Sequence, residues 1–431
     1  MAMLARLFSK IIDSPTYSSI LNKILYQASE YAMTIYSFGF ENFFSFEAKT
    51  EVSFVADKRA SINDTFFEVD SSEERVSKVL AVVGANGSGK TNLIKPLAYI
   101  LWFMTDSFFA KKNDQKHFLR PHTFNESQPV KIKIEFAVEG IRYRYALIRG
   151  SSRVLGESLE KKTSRLWSKI FLRTWNFDTE EYEVVQKSFL RSNALLVEAG
   201  PLVSLISLAA QYNSKIAKTI SDALRRTVTN VTCFGRDTYY GSSDVSLASE
   251  YYLENPARKE EMIKFFSNQD FGIDDIELEV YERTKDDGSE DNGIIPWVIY
   301  RRGERVARIP LLLESSGTQA LYHLLSKILP LLQTGGVIVY DELEGDLHPL
   351  MIEPILDLFF SKRSNPHNAQ IIFTTHSIEV LNLLQKNQIF LVEKIEGSSE
   401  AWKLSDMQGV RSDDNFYAKY MSGAYGAIPR L

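Results

Sequence analysis

The hydrophobic and polar positions change period several times along the chain, and each change predicts a change of element. In residues 1–32, Leu4, Leu7, Phe8, Ile11 and Ile12 recur at helical spacing, as do Tyr17, Ile20, Leu21, Ile24 and Leu25, with Ser14-Pro15 between the runs. Two amphipathic helices are expected there: a pair packed on the body, sequence upstream of a start at Met33, or a docking surface for another chain. From Thr34 to Phe54 apolar and polar residues alternate, which predicts a β-hairpin. Val79-Leu-Ala-Val-Val83 reads as a strand buried on both faces, and Asn92 to Phe103 as a helix after it. Alternation returns from Val130 to Ile148, with a turn at Glu139-Gly140. It continues over Val154 to Lys162 and Ile170 to Val185, so one antiparallel sheet is expected to collect these strands.

Character changes near Ser188. From there to about Phe266 the spacing is helical, with Pro201 and Pro256 as punctuation, and an insertion of several short helices is expected. Strands are expected again at Ile276 to Tyr281 and Trp297 to Tyr300, around a polar, disordered loop from Lys285 to Gly293. A helix opens at Glu314 and runs to about Leu332; Val337 to Tyr340 and Ile371 to His376 are buried strands, and Leu391 opens a last one. The chain thus divides into N-terminal helices (1–32), a first lobe with an antiparallel subdomain (33–187), a helical insertion (188–270) and a second lobe (271–431). The fold class is α/β.

Composition narrows the classes. With 431 residues, 44% hydrophobic and 24% charged, the chain suits a soluble protein of two or three packed units. A formal net charge of −5 gives no global reason to expect nucleic-acid binding, though local basic patches remain candidates. Cys233 is the only cysteine, so an internal disulfide or a cysteine metal site is excluded, and a small buried hydrophobe is expected. The longest apolar run, Leu195 to Ala210, is broken by Glu198, Gly200 and Pro201 and falls short of a membrane span. No signal peptide pattern opens the chain, and a cytoplasmic location is expected.

The chemistry centres on Gly84, Ala85, Asn86, Gly87, Ser88, Gly89, Lys90 and Thr91, which read G-x-x-x-x-G-K-T between a strand and a helix. In such a loop the glycines let backbone N–H groups turn toward phosphate oxygens, Lys90 reaches the β- and γ-phosphates, and the Thr91 hydroxyl ligates Mg²⁺. The helix from Asn92 adds its N-terminal dipole. ATP and Mg²⁺ are the expected cofactors. Asp341-Glu342 comes directly after a buried strand, the pattern in which the first carboxylate holds Mg²⁺ and the second orients the attacking water. His376, at the end of a later strand, would sense the γ-phosphate or that water. Ser316, Gly317, Thr318 and Gln319 resemble the S-G-G-Q signature of ABC-type ATPases, with Thr in place of the second Gly. In that fold the signature contacts the γ-phosphate held by a partner's loop, so two heads enclose two ATPs.

Together with Glu41-Asn-Phe-Phe-Ser-Phe46, Tyr340 to Pro349, Asn368 to Ser377, Phe390 to Lys394 and Tyr420 to Pro429, these motifs resemble the RloA/AbiL-type ATPases, relatives of the OLD, RecF and SMC heads. The resemblance covers nearly everything from Met33 onward and is least specific in the helical middle. It implies an ABC-type head with an antiparallel β lobe and a helical insertion, the roles given above, and a D-loop at Asp346-Leu-His348 that crosses to a partner subunit. Gln128 stands at a plausible distance for the Q-loop glutamine beside Mg²⁺, with Gln115 as the other candidate. The resemblance further implies a bacterial anti-phage system in which the ATPase controls a separate effector, often a Toprim-type or other nuclease. The ATPase component of the PARIS system belongs to the same broad group.

Three functions compete. The first is an ATP-hydrolysing sensor or regulator that forms head-to-head dimers or larger assemblies, controls a neighbour-encoded effector and responds to a phage component. The second is a RecF-like repair factor that binds DNA directly through Arg142-Tyr-Arg-Tyr145 and Arg225-Arg226, residues that equally suit a solvated face. The third is a scaffold that binds ATP without turnover, against which the Asp341-Glu342 pair argues. The helical middle is too short for an SMC coiled coil, and the stretch after His376 too short for a Toprim domain.

Overall fold

Every residue of β5 (Val79–Val83) is buried, as expected of a strand flanked by parallel partners and covered on both faces. Its neighbours are β18 (Gln370–Thr374) and β19 (Ile389–Ile395), both parallel to it. Outside β18 lie β17 (Val337–Tyr340) and β11 (Thr227–Thr229), and outside β19 the antiparallel strand β20 (Ser398–Lys403). The computed structural model describes residues 33–428 apart from 57–63, 70–73, 111–118, 238–241, 270, 285–289 and 346. The helices expected in residues 1–32 lie outside the described residues, as do Gln115, Asp346 and residues 285–289.

The alternating stretches form a second, antiparallel sheet. It contains β1 (Met33–Glu41), β2 (Thr50–Ser53), β6 (Val130–Val138), β7 (Ile141–Arg149), β8 (Val154–Thr163), β9 (Leu166–Asn176) and β10 (Glu181–Gln186). Their order is β10-β9-β8-β7-β6-β1-β2, and β3 (Phe66–Val69) pairs with β4 (Glu74–Ser77) in a separate hairpin. Helix α1 (Lys90–Asp106) touches β17 and β18 of the parallel sheet and β1 and β6 of the antiparallel one, which explains why most of its surface is buried. The side chain of Gln370, itself fully buried, ties the sheets together. It accepts from the Ile35 N–H at 2.7 Å and donates to the Ile35 and Ser77 carbonyls at 3.0 Å each.

The described residues fall into two compact units. The larger comprises the described residues of 33–237, 332–344 and 349–428 and contains all the strands above. Its helices include α2 (Asn193–Val197), α3 (Leu205–Gln211) and α4 (Lys215–Leu224). The helical run expected over 188–270 is interrupted after α4. There the β-branched Thr227-Val-Thr229 pairs with Val337 to Val339 as β11, and a hairpin of β12 (Val231–Thr232) and β13 (Gly235–Arg236) comes next. Two short helices, α8 (Ile352–Phe360) and α9 (Phe416–Met421), complete this unit.

The smaller unit holds α5 (Ser242–Glu254), α6 (Pro256–Asn268) and the antiparallel strands β14 (Asp275–Thr284), β15 (Glu290–Arg302) and β16 (Arg305–Pro310). It also holds α7 (Ser316–Thr334) as far as Leu331. Tyr252 on α5 packs on Tyr322 of α7 with ring centroids 5.0 Å apart, and burial pushes the Tyr322 phenol well up. Residues 290–293, expected in a disordered loop, are strand: Glu290 to Gly293 pair with Thr284 to Tyr281. The Tyr281 ring lies across Gly293, covering the backbone that a glycine leaves bare.

One buried ion pair links two strands of the larger unit to the loop before α3. Glu157 on β8 and Arg173 on β9 are both fully buried, 3.6 Å apart. Glu157 also accepts from Tyr145 Oη at 2.8 Å, Ser204 Oγ at 2.8 Å and the Leu205 N–H at 2.9 Å, and so caps α3. Arg173 donates to the carbonyls of Val203, Ala199 and Gly200. Burial pushes the Glu157 carboxyl up, and the Arg173 guanidinium with these hydrogen bonds draws it back. Arg173→Met leaves the carboxylate buried without its counter-ion. The expected loss is about 3–5 kcal/mol in urea unfolding; an unchanged midpoint would show that the pair holds nothing.

Candidate nucleotide site

The parallel order β17-β18-β5 brings three loops together at the carboxyl edge of adjacent strands, where open α/β sheets hold ligands. The loop after β5 is Gly84 to Gly89, that after β17 begins with Asp341-Glu342, and that after β18 carries Thr375-His376. All three belong to the larger unit.

The first loop is shaped by close approach. A Cβ on Gly84 would lie 2.2 Å from the Val392 carbonyl oxygen of β19, so no other residue fits. Gly89 has φ +109°, and a Cβ there would meet Ser399 Oγ at 2.3 Å. That Ser399 hydroxyl donates to the Ser88 carbonyl at 2.6 Å and lies 2.8 Å from Ser45 Oγ, while Asn92 Nδ2 donates to Ser45 Oγ at 2.9 Å. Helix α1 starts at Lys90 with no side-chain cap and no acid of its own in the first turn, and its N-terminal dipole faces the loop. Among the described residues the buried Ser88 hydroxyl has no hydrogen-bond partner, and a phosphate oxygen would supply one. Lys90, almost fully buried, donates to the Gly84 and Ala85 carbonyls at 2.9 and 3.2 Å. Burial lowers its pKa, with Asp341, Glu342 and Glu344 pulling it back up.

Facing the loop, Thr91 Oγ1 donates to both Asp341 carboxylate oxygens, at 3.0 and 2.9 Å. A hydroxyl and a carboxylate at this separation are the hard oxygen donors Mg²⁺ prefers, the remaining positions being left to phosphate and water. Among the described residues no group of three or more His, Cys, Asp or Glu side chains could hold a metal by itself. Asp341 is fixed by Thr374 Oγ1, which donates to Oδ1 at 2.6 Å and itself accepts from the Glu342 N–H at 2.7 Å. Glu342 has φ +52°, the left-handed region, at a cost of about 1–3 kcal/mol that the surrounding hydrogen bonds must sustain. Its Oε1 lies 3.3 Å from His376 Nε2 and its Oε2 3.3 Å from an Arg236 guanidinium nitrogen. His376 Nδ1 is in turn 3.4 Å from Lys90 Nζ, so Lys90, His376, Glu342 and Arg236 form a continuous row. The Glu344 carboxylate accepts the His376 and Ser377 backbone N–H groups.

Gln128 is exposed in the turn before β6; its carbonyl accepts from Asn42 Nδ2 at 2.8 Å, and among the described residues its side chain makes no hydrogen bond to Thr91 or Asp341. The signature belongs to the smaller unit. Ser315 caps α7 there, accepting from the Thr318 N–H at 3.2 Å, with Ser316 exposed and Gly317 half-buried beside it. Gln319 Nε2 donates to the Glu314 carbonyl at 2.9 Å. Cys233 is half-exposed rather than buried, because it sits in the turn between β12 and β13.

Sequence reasoning missed Ser45, Ser399, Thr374, Asn230 and Arg236. Of these, only Ser45 and Thr374 stand inside stretches that carry a motif. The basic patches weighed for DNA are engaged within the larger unit. Arg142 pairs with Glu74 and lies over the Tyr36 ring, and Arg144 is 3.2 Å from Glu135. Arg225 is 3.2 Å from Asp106, and Arg226 donates to the Thr334 carbonyl at 2.7 Å.

Among solved structures, the chain is similar to an SMC head bound to the C-winged helix domain of ScpA. Identity is 14% and the TM-score 0.42, over 85% of this chain and 96% of that one. It is also similar to an Smc head domain with an extended coiled coil bound to the C-terminal domain of ScpA derived from Pyrococcus furiosus. Here identity is 14% and the TM-score 0.36, over 86% of this chain and 97% of that one. No curated protein matches. Residues 79–184 and 198–382 match the family described as AAA domain, putative AbiEii toxin, Type IV TA system. That match takes in the phosphate loop, the signature, the acidic pair and the histidine, and covers well over half of the chain: the protein belongs to this AAA family.

Proposed function

We propose that this protein hydrolyses ATP to ADP and phosphate, and that it serves as the sensor or regulator of a separate toxic effector in a bacterial anti-phage system. The observation that carries the enzymatic part is the row from Lys90 through His376 to Glu342, beside the Thr91–Asp341 contact. Phosphoryl transfer needs little covalent help, so positioning and charge placement do most of the work. The loop N–H groups and the start of α1 would bind the β- and γ-phosphates, and Lys90 would place its charge between them. Thr91 and Asp341 would hold Mg²⁺, whose part is to neutralise charge developing on the phosphate oxygens. Glu342 would orient a water in line with the γ-phosphate, and His376 would hold that carboxylate and report on the phosphate through Lys90.

A second copy would complete the site with Ser316, Gly317 and Gln319 at the start of α7, and with Asp346 crossing the interface. The family description, which names a putative toxin of a toxin–antitoxin system, and the motif resemblance support the defence role. A nuclease effector encoded beside this gene and a phage component as trigger are the partners proposed. The guanidiniums weighed for the DNA-binding alternative each hold a partner within the larger unit, and direct DNA capture is left to the test below. No described helix is long and apolar enough to cross a membrane.

Lys90→Ala should abolish binding of a fluorescent ATP analogue. Glu342→Gln should keep binding but lower turnover by about 100-fold or more, and light scattering should then find the dimer mass with ATP. Wild-type turnover by Glu342→Gln would remove Glu342 from the reaction. Expression with neighbouring genes, then co-purification and phage challenge, tests the regulatory part; a lone dimer that captures DNA with ATP would overturn it.

The buried Lys90 gives a further test. Its pKa is lowered by burial, so at alkaline pH below 10.5 part of the free protein carries a neutral amine. Bound phosphate favours the charged form, and ATP binding should therefore take up protons in that alkaline range. Calorimetry in buffers of different ionisation enthalpy should show this uptake. Its absence from wild type would refute the assignment.

A further inference from the structure

The row of charges at the acidic pair ends on a residue that no motif identified. Arg236 stands on β13, its guanidinium 3.3 Å from Glu342 Oε2, on the oxygen that His376 does not engage. Beside it at the open end of the same hairpin, just before β12, Asn230 makes the companion contact. It accepts from the Asp341 N–H at 2.7 Å and donates to the Asp341 carbonyl at 2.9 Å, as a neighbouring strand would. The Asp237 N–H bonds back to the Asn230 carbonyl at 2.6 Å and closes the hairpin on itself. One small hairpin therefore holds the backbone of the first carboxylate and the side chain of the second.

We infer that Asn230 and Arg236 form a bracket that positions the Asp341-Glu342 pair, with Arg236 a positioning residue that acts on hydrolysis through Glu342. The inference rests on the ATPase reading above. Two features make such a bracket necessary. Glu342 occupies left-handed backbone, a conformation that persists only when its surroundings over-determine it. Its side chain is also partly exposed, at 35%, so solvent alone would leave its rotamer free. With Oε2 on Arg236, the carboxylate is oriented so that Oε1 faces the His376–Lys90 side, where the γ-phosphate would stand. An arginine suits this better than a lysine, because its planar fork fixes an oxygen in direction as well as distance.

The test combines steady-state kinetics with nucleotide binding on the full chain. Arg236→Ala should lower kcat by roughly 10- to 100-fold, as loss of an outer-shell partner does. KM and the affinity for a fluorescent ATP analogue should stay within about two-fold, since Lys90 and Thr91 are untouched. Added guanidinium chloride at low millimolar concentration should restore part of kcat, and Arg236→Lys should retain more activity than Arg236→Ala. Should Arg236→Ala not fold, Arg236→Gln serves in its place with the same expectations. Unchanged kcat, a change confined to KM, or loss of kcat that neither guanidinium nor lysine relieves would overturn the bracket. A wild-type protein that binds ATP and never turns it over would instead strike the ATPase reading itself and take the bracket with it.

Discussion

The phosphate loop has its shape because β19 and β20 press against it from a part of the chain some three hundred residues later. The Val392 carbonyl occupies the space a side chain at Gly84 would need, and the Ser399 hydroxyl occupies that at Gly89 while hydrogen-bonding the Ser88 carbonyl. These contacts make both glycines obligatory for packing, and Gly89, at φ +109°, for backbone freedom as well. They also fix where α1 begins, and hence where Lys90 and Thr91 can reach. The parallel order of β17, β18 and β5 then sets the acidic pair and the histidine opposite, so the remaining geometry stems from strand order.

Most of this arrangement was legible in the sequence, for physical reasons. Val79 to Val83 and Val337 to Tyr340 are all-apolar because both faces are covered, and each leads straight into a phosphate loop or a carboxylate pair. The alternation of the antiparallel strands is equally direct. The features that escaped are short or remote. β11 has three residues and β12 and β13 two each, too few for any period to show, so Asn230 and Arg236 vanished into a stretch that read as helical. Ser45 and Ser399 touch at 2.8 Å across more than three hundred and fifty residues, a contact no local pattern announces. Glu290 to Gly293 looked like polar linker, and became strand because β14 offers partners and Tyr281 covers the glycine.

Charge is distributed in this unit with two different purposes. Around Glu157 and Arg173 it is fully buried and hydrogen-bonded, and its effect is to lock a loop and a helix start onto a sheet. At the acidic pair it is only partly buried: His376 is 41% exposed and Glu342 35%. There, Glu342 stands between His376 and Arg236, with Lys90 beyond His376. Pairs of the first kind resist change, and those of the second kind can exchange partners when a polyanion arrives.

Ser399 has a consequence for how the protein is made. A ribosome releases the phosphate loop early, with β5 and α1, but the hydroxyl that seats the loop emerges only after β19. Nascent chains fold in order of emergence as far as their contacts allow. The loop, its most recognisable sequence, therefore takes this shape only once β20 has emerged some three hundred residues behind it.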